Sequence, residues 1–217
     1  MPSPKSIKTT DTSNAAKTAL SPRKQPLQPR AVETVACILE AAAQLLEVQG
    51  FEGFNTNIVA ERAGVSIGSL YQYFPGKRAL VVALMRREKE RFGQDASAAL
   101  AAATGSDAMR HLVRAAVRQQ LERPELARLL DIEEARPEVQ RETEEASGVR
   151  ALLRATLDRE DLPMQPDKEI ATDELMVLIR ALVDSAGERR ESDLPGLESR
   201  LSGAVFGYLE GAAATFK

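Results

Sequence analysis

Residues 50–80 read GFEGFNTNIVAERAGVSIGSLYQYFPGKRAL, and this stretch decides the fold. Thr56 is a good N-cap for a short helix over 57–63, because its hydroxyl can accept an otherwise orphaned backbone N–H. Gly64 can take the left-handed conformation that ends that helix. Ser66 then caps a second short helix over 67–73. Pro75 stops it, since a proline pushes the preceding residue out of the α region. Two short helices joined by a tight glycine-containing turn make a helix-turn-helix. Ile58, Val59, Ala63, Val65, Leu70 and Phe74 can supply the shared core. The second helix is left with a polar and aromatic face of Ser66, Ser69, Tyr71, Gln72 and Tyr73. It is too short and too polar for a core helix.

Helical periodicity extends in both directions. From Ala31, the residues Val35, Ile38, Leu39, Ala42, Leu45 and Leu46 follow i, i+3, i+4, i+7 spacing, and Gly50 ends that helix. Cys37, one residue before the core position Ile38, reads as a packing residue. Further helices are expected from near Lys77, Ser106, Glu125, Pro137, Lys168 and Leu197. Breaks fall at Gly105, Pro124, Pro137, 161–166 and 192–196. No run of alternating, β-branched residues suggests a strand, so the fold class is all-α. The expected organisation is an arm over 1–30, a helix-turn-helix domain over 31–80 and a helical domain over 81–217.

The 217 residues carry a formal net charge of −3, which hides an asymmetry. The first 90 residues hold twelve Lys and Arg against eight Asp and Glu, so the remainder carries −7. Residues 1–30 contain five of the eleven prolines and little that is large and apolar. Such a segment cannot bury enough surface to offset its ordering entropy, and it reads as a disordered basic arm. It either tracks a DNA backbone or is a solvated tail. One cysteine excludes an internal disulfide framework and a Cys-cluster zinc site, and one histidine argues against a His-based metal site or a catalytic triad. No apolar stretch approaches the ~18–20 residues of a membrane helix, and the N-terminal lysines are not followed by a secretory apolar run. A reducing cytoplasm without membrane partner, metal or cofactor is expected.

The motif resembles the TetR/AcrR family of bacterial transcriptional regulators. The resemblance rests on Ala60-Glu61-Arg62-Ala63-Gly64-Val65-Ser66, Gly68-Ser69-Leu70-Tyr71, Tyr73-Phe74 and Lys77, spaced without a gap from Thr56. It covers roughly residues 33–84. It implies a homodimeric regulator, a repressor, that binds a near-palindromic double-stranded DNA operator and releases it with a small-molecule effector. By the same resemblance Thr56 caps its helix and touches phosphate, and Ser66 caps the recognition helix at the DNA backbone. Ile67 and Gly68 lie against base edges, and Ser69 and Gln72 hydrogen-bond bases. Tyr71, Tyr73 and Lys77 meet phosphate. Many relatives have an acidic residue where this chain has Arg78, and a longer positive side chain near Ile67. Readout here therefore leans more on apolar contact and DNA shape.

Beyond residue 85 the resemblance implies a helical ligand-sensing and dimerisation domain. Two late helices, near 168–190 and 197–215, are candidates for a four-helix bundle with a second copy. Their interface residues would be Leu175, Ile179, Leu182, Val183, Leu201, Ala204, Val205 and Tyr208; the competing reading is an intramolecular core stripe. Met109, Leu112 and Val113, with His111 beside them, are the candidate effector contacts. Asp131, Glu133, Glu134, Glu138, Glu142, Glu144 and Glu145 form an acidic run that reads as a solvated face. No nucleophile elbow, P-loop, dinucleotide fingerprint or metal-ligand cluster is present, so the chain is not expected to be an enzyme. Carboxylate acid–base chemistry and a helical protein–protein adaptor remain the alternatives.

Overall fold

The computed structural model describes residues 28–136, 139 and 148–214. Residues 1–27 of the expected arm, and Pro137, Glu138, Glu142, Glu144, Glu145 and Thr215, lie outside the described residues. The described residues form nine α-helices and no strand, in two compact units that divide between Leu84 and Met85.

The first unit opens with α1, Pro29–Gly53. Proline occupies its first turn, where a missing N–H has no helical partner to lose. The helix therefore begins inside the expected arm. Ile38, Leu39, Ala42, Leu45 and Leu46 form its buried face. Cys37 corrects the sequence reading: it is exposed, because one residue of helical rotation turns it away from Ile38 toward the exposed Glu33 and Ala36. Gly50 interrupts α1 with φ 63° and ψ −170°, as its type allows, before one further turn leads to Phe54.

Helices α2 (Thr56–Arg62) and α3 (Ile67–Tyr73) follow, joined through Gly64 at φ +69°. Helix α1 packs on α2 and α2 on α3. Val59, Ala60, Leu70 and Phe74 are 3% exposed or less, whereas Ile58, expected in this core, is 38% exposed. Ala60, which the sequence reading left out of this core, is buried instead. Phe74 ends α3 in an extended conformation ahead of Pro75. Helix α4, Lys77–Ser97, then runs through the division between the units and ends in a short 3₁₀ turn, Ala98–Ala101.

In the second unit, α5 (Gly105–Leu121) is central and packs against α6 (Pro124–Glu134), α7 (Val149–Thr156), α8 (Lys168–Glu188) and α9 (Leu194–Ala214). Its N-terminus is closed twice. Thr104 accepts from the Asp107 N–H, and the Asp161 carboxylate accepts from Gly105 and Ser106 at 2.7 and 3.1 Å. Helix α7 starts after Gly148, and α9 begins one turn before the expected Leu197. The Asp193 carboxylate accepts from the Gly196 N–H there, and Pro195 costs nothing in a first turn. Met109, Leu112, Val113, Leu175, Val183, Leu201 and Val205 belong to this unit's core.

The described part of the acidic run, Asp131, Glu133 and Glu134, departs from a solvated face. Glu133 pairs with Arg136, and Glu134 bridges Lys89 of α4 and Arg180 of α8; both carboxylate side chains are 13% exposed. Asp131 is half-buried between α5, α6 and α8. Burial first, then the facing Asp184 and neighbouring Glu134, push its carboxyl up to about 6, against Arg180 and a hydrogen bond from Gln120. Asp184 is itself raised by burial.

A raised carboxyl pKa means that folding favours protonated Asp131. Its stabilising contribution is complete below about pH 4 and fades as pH rises through about 6. Asp131→Asn is therefore expected to exceed the parent in stability by about 3 kcal/mol at pH 7.5 and to come close to it at pH 4. Urea unfolding at the two pH values checks this; an equal difference at both would refute it. Gly64→Ala is expected to cost about 1–2 kcal/mol through its left-handed backbone, although a Cβ there meets nothing within 4 Å. Gly76→Ala, equally open but without a positive φ, is expected to melt close to the parent.

Candidate nucleic-acid interface

The site is the outward side of α2 and α3. Asn55 caps α2, its Oδ1 accepting the Asn57 N–H at 2.8 Å. Thr56, expected to be the cap, is the first helical residue instead. An extended Asn55 places a carboxamide oxygen at the free N–H groups, and this releases the Thr56 hydroxyl. That hydroxyl lies 3.2 Å from the Tyr71 hydroxyl and links α2 to α3 across their exposed side. Ser66 caps α3 as expected, accepting from the Ser69 N–H at 3.0 Å, and its hydroxyl also meets that of Ser69 at 2.8 Å.

Leu70 is the buried residue of α3, and Phe74 anchors its end. Ile67 (37% exposed), Gly68, Tyr71 (40%) and Gln72 are outward, while Ser69 and Tyr73 are half-buried. The Tyr73 ring leans on Phe74 at 6.5 Å between centroids. A Cβ on Gly68 would meet only the Ser66 hydroxyl, at 3.8 Å, so this part of α3 presents bare backbone. Lys77 stands at the edge of the face, but its ammonium donates to the Phe51 carbonyl at 2.5 Å and lies 5.5 Å from the Phe54 ring centroid. Arg62 donates to Gln44 of α1 at 3.0 Å and fixes α2 from behind. Sequence reasoning missed Asn55 and Arg62. An Asn one residue before a Thr was a readable cap signal; the Arg62–Gln44 pair had none.

The second unit separates the expected interface residues into two groups. Leu175, Val183, Leu201 and Val205 are at most 7% exposed and belong to the core of their own unit. Ile179, Leu182, Ala204 and Tyr208 are half-buried, and Tyr208 donates to Glu174 at 2.6 Å between α9 and α8. Burial and the Glu174 carboxylate push the Tyr208 hydroxyl up to about 12. The outward side of α8 instead carries Ile170 (56% exposed), Val177 (68%) and Ala181. That of α9 carries Gly203, Gly207 and Gly211, each with nothing within 4 Å of an added Cβ. Three glycines at four-residue spacing inside a helix are a signal readable in the sequence.

Among the expected effector contacts, Met109, Leu112 and Val113 are core and only His111 is half-buried. Its Nε2 is buried without a hydrogen-bond partner among the described residues. None of the four lines the groove of about 750 Å³ between α5 and α9, where Arg110 lies 4.8 Å over the Phe206 ring. They are likewise absent from the polar groove between α4 and α5. No group of three or more metal-ligating side chains occurs among the described residues. No helix among them is long and apolar enough to cross a membrane.

Residues 38–84 match the family of bacterial regulatory proteins, tetR family. The HTH-type transcriptional repressor KstR of Rhodococcus jostii (strain RHA1) is 46% identical over 54 residues, 25% of this chain. The chain thus spans about a quarter (26%) of that repressor's length. A TetR transcriptional regulator from Rhodococcus sp. RHA1 is similar in structure with a TM-score of 0.55 at 27% identity, over 82% of this chain and 95% of that one. The transcriptional regulator FadR from Bacillus subtilis, solved in complex with stearoyl-CoA, has a TM-score of 0.67 at 18% identity, over 79% and 97% of the two chains. The helix-turn-helix thus carries the match to the tetR family of bacterial regulatory proteins, and the all-α fold is similar along most of the chain to that of a solved TetR regulator.

Proposed function

We propose that this chain is a sequence-specific DNA-binding transcriptional regulator, acting as a repressor, that binds a near-palindromic operator as a homodimer and responds to a small-molecule effector. One observation carries the reading. Helix α3 buries Leu70 and leaves Ile67, Gly68, Tyr71 and Gln72 outward, beside a rim of hydroxyls. Bare backbone at Gly68 allows close approach to a major-groove edge, Ile67 suits a thymine methyl, and Gln72 suits adenine. Thr56 and Tyr71, their hydroxyls 3.2 Å apart, are placed to share a phosphate, with Ser66 and Tyr73 flanking them. The repressor role is supported by the similarity to KstR through this part of the chain.

One helix-turn-helix reads few bases, and a two-fold dimer doubles the site at a spacing of about 34 Å. The outward faces of α8 and α9 suit a second copy. Val177 and Ile170 are apolar and exposed, and the glycines of α9 permit close helix contact. The effector belongs to the second unit, whose grooves combine aromatic and charged walls. FadR, which shares the fold, was solved with stearoyl-CoA. Effector binding would disfavour the dimer geometry matched to the operator.

Selection of duplexes from a random library at two salt concentrations tests the reading; recovery of a salt-sensitive inverted repeat is expected. On that duplex, Tyr73→Phe and Thr56→Val are expected to lower affinity several-fold for all sequences. Gln72→Ala and Ile67→Ala are expected to change which bases are selected. Uniform behaviour of all four variants would overturn the division into phosphate and base contacts. Val177→Glu and Gly207→Leu are expected to shift the protein from dimer to monomer in sedimentation while leaving its helicity unchanged. A dimer persisting in both would move the interface off α8 and α9.

A further inference from the structure

We infer that Lys77 is a positioning residue for the helix-turn-helix, its ammonium tying the broken end of α1 to the first turn of α4 through the Phe51 carbonyl and the Phe54 ring. The break at Gly50 leaves the final turn of α1 short, and carbonyls at a helix C-terminus have no partner within the helix. The Phe51 carbonyl takes its hydrogen bond from Lys77, 26 residues later, at 2.5 Å. A cation at this end also suits the helix dipole. The same ammonium lies 5.5 Å from the centroid of Phe54, a ring only 3% exposed and therefore a fixed anchor.

The topology gives this contact its meaning. Phe54 leads directly into the Asn55 cap of α2, and Lys77 follows α3 after Pro75 and Gly76. Helices α2 and α3 therefore form a loop whose two ends are held together at Lys77. Closing a loop at its base restricts everything within it, and within this loop α3 is held by Leu70, Phe74 and the Thr56–Tyr71 contact. The role of Lys77 is thus to set where α3 stands, in place of the phosphate contact that its motif position implies.

The functional arm of the test rests on the DNA-binding reading; hydrogen exchange does not. Lys77→Met, Lys77→Arg and the parent would be compared by amide exchange without DNA, and by binding to the selected and a shuffled duplex at three salt concentrations. Lys77→Met is expected to speed exchange at residues 51–54 and 67–73. It should also reduce the selected-to-shuffled affinity ratio about tenfold, the equivalent of one charge-assisted hydrogen bond, with the salt slope unchanged. Lys77→Arg, which keeps a cationic donor, should restore both. A slope lowered by about one with unchanged exchange and an equal loss on both duplexes would make Lys77 a phosphate contact and overturn the inference. So would a Lys77→Met protein identical to the parent. If Lys77→Met fails to fold, Phe54→Leu removes the ring and keeps the carbonyl contact; unchanged exchange and selectivity there would overturn the inference as well. If the parent selects no duplex, the DNA reading fails, and the exchange data alone decide the clamp.

Discussion

Burial of Leu70 and Phe74 is the constraint on which the outward side of α3 depends. Helix α3 has seven residues, too few to persist in water from propensity alone. It exists because one side chain in its middle and one at its end are withdrawn completely from water. Everything outward on α3 then follows from helical rotation. With Leu70 inward, Ile67, Tyr71 and Gln72 have nowhere to pack within the unit. Their exposure is a geometric consequence of the core.

The caps reinforce the same arrangement. Asn55 and Ser66 satisfy the first N–H groups of α2 and α3, so neither helix needs a neighbour there. Because Asn55 caps, Thr56 is released to pair with Tyr71. A single hydrogen bond at the start of α2 thus decides that two hydroxyls from different helices converge on one place at the surface.

The second unit shows how the same residue types serve two ends. Helices α8 and α9 each commit one stripe to the core around α5, and their outer sides remain apolar at Val177 and bare at Gly203, Gly207 and Gly211. Four of the eight residues expected at an interface lie on the core stripe and four are half-buried, because large residues at helical spacing look alike whether they meet their own chain or another. The acidic run misled in a similar way. Glu133 and Glu134 look solvated in a list of charges, but Arg136, Lys89 and Arg180 arrive from other turns and helices to neutralise them.

Local chemistry made the helices, the turn and the outward face of α3 legible from sequence: Ser66, Gly64 and Pro75 act within a few residues of themselves, through capping, backbone freedom and ring constraint. Those signals determined the all-α class and the helix-turn-helix. Tertiary structure alone decided that Cys37 and Ile58 face outward, that Leu175 and Leu201 are core, and that Lys77 is held by a carbonyl 26 residues away. The physical reason is that side-chain environment depends on which helix arrives from elsewhere in the chain, and a helical stripe specifies a buried side without specifying what buries it.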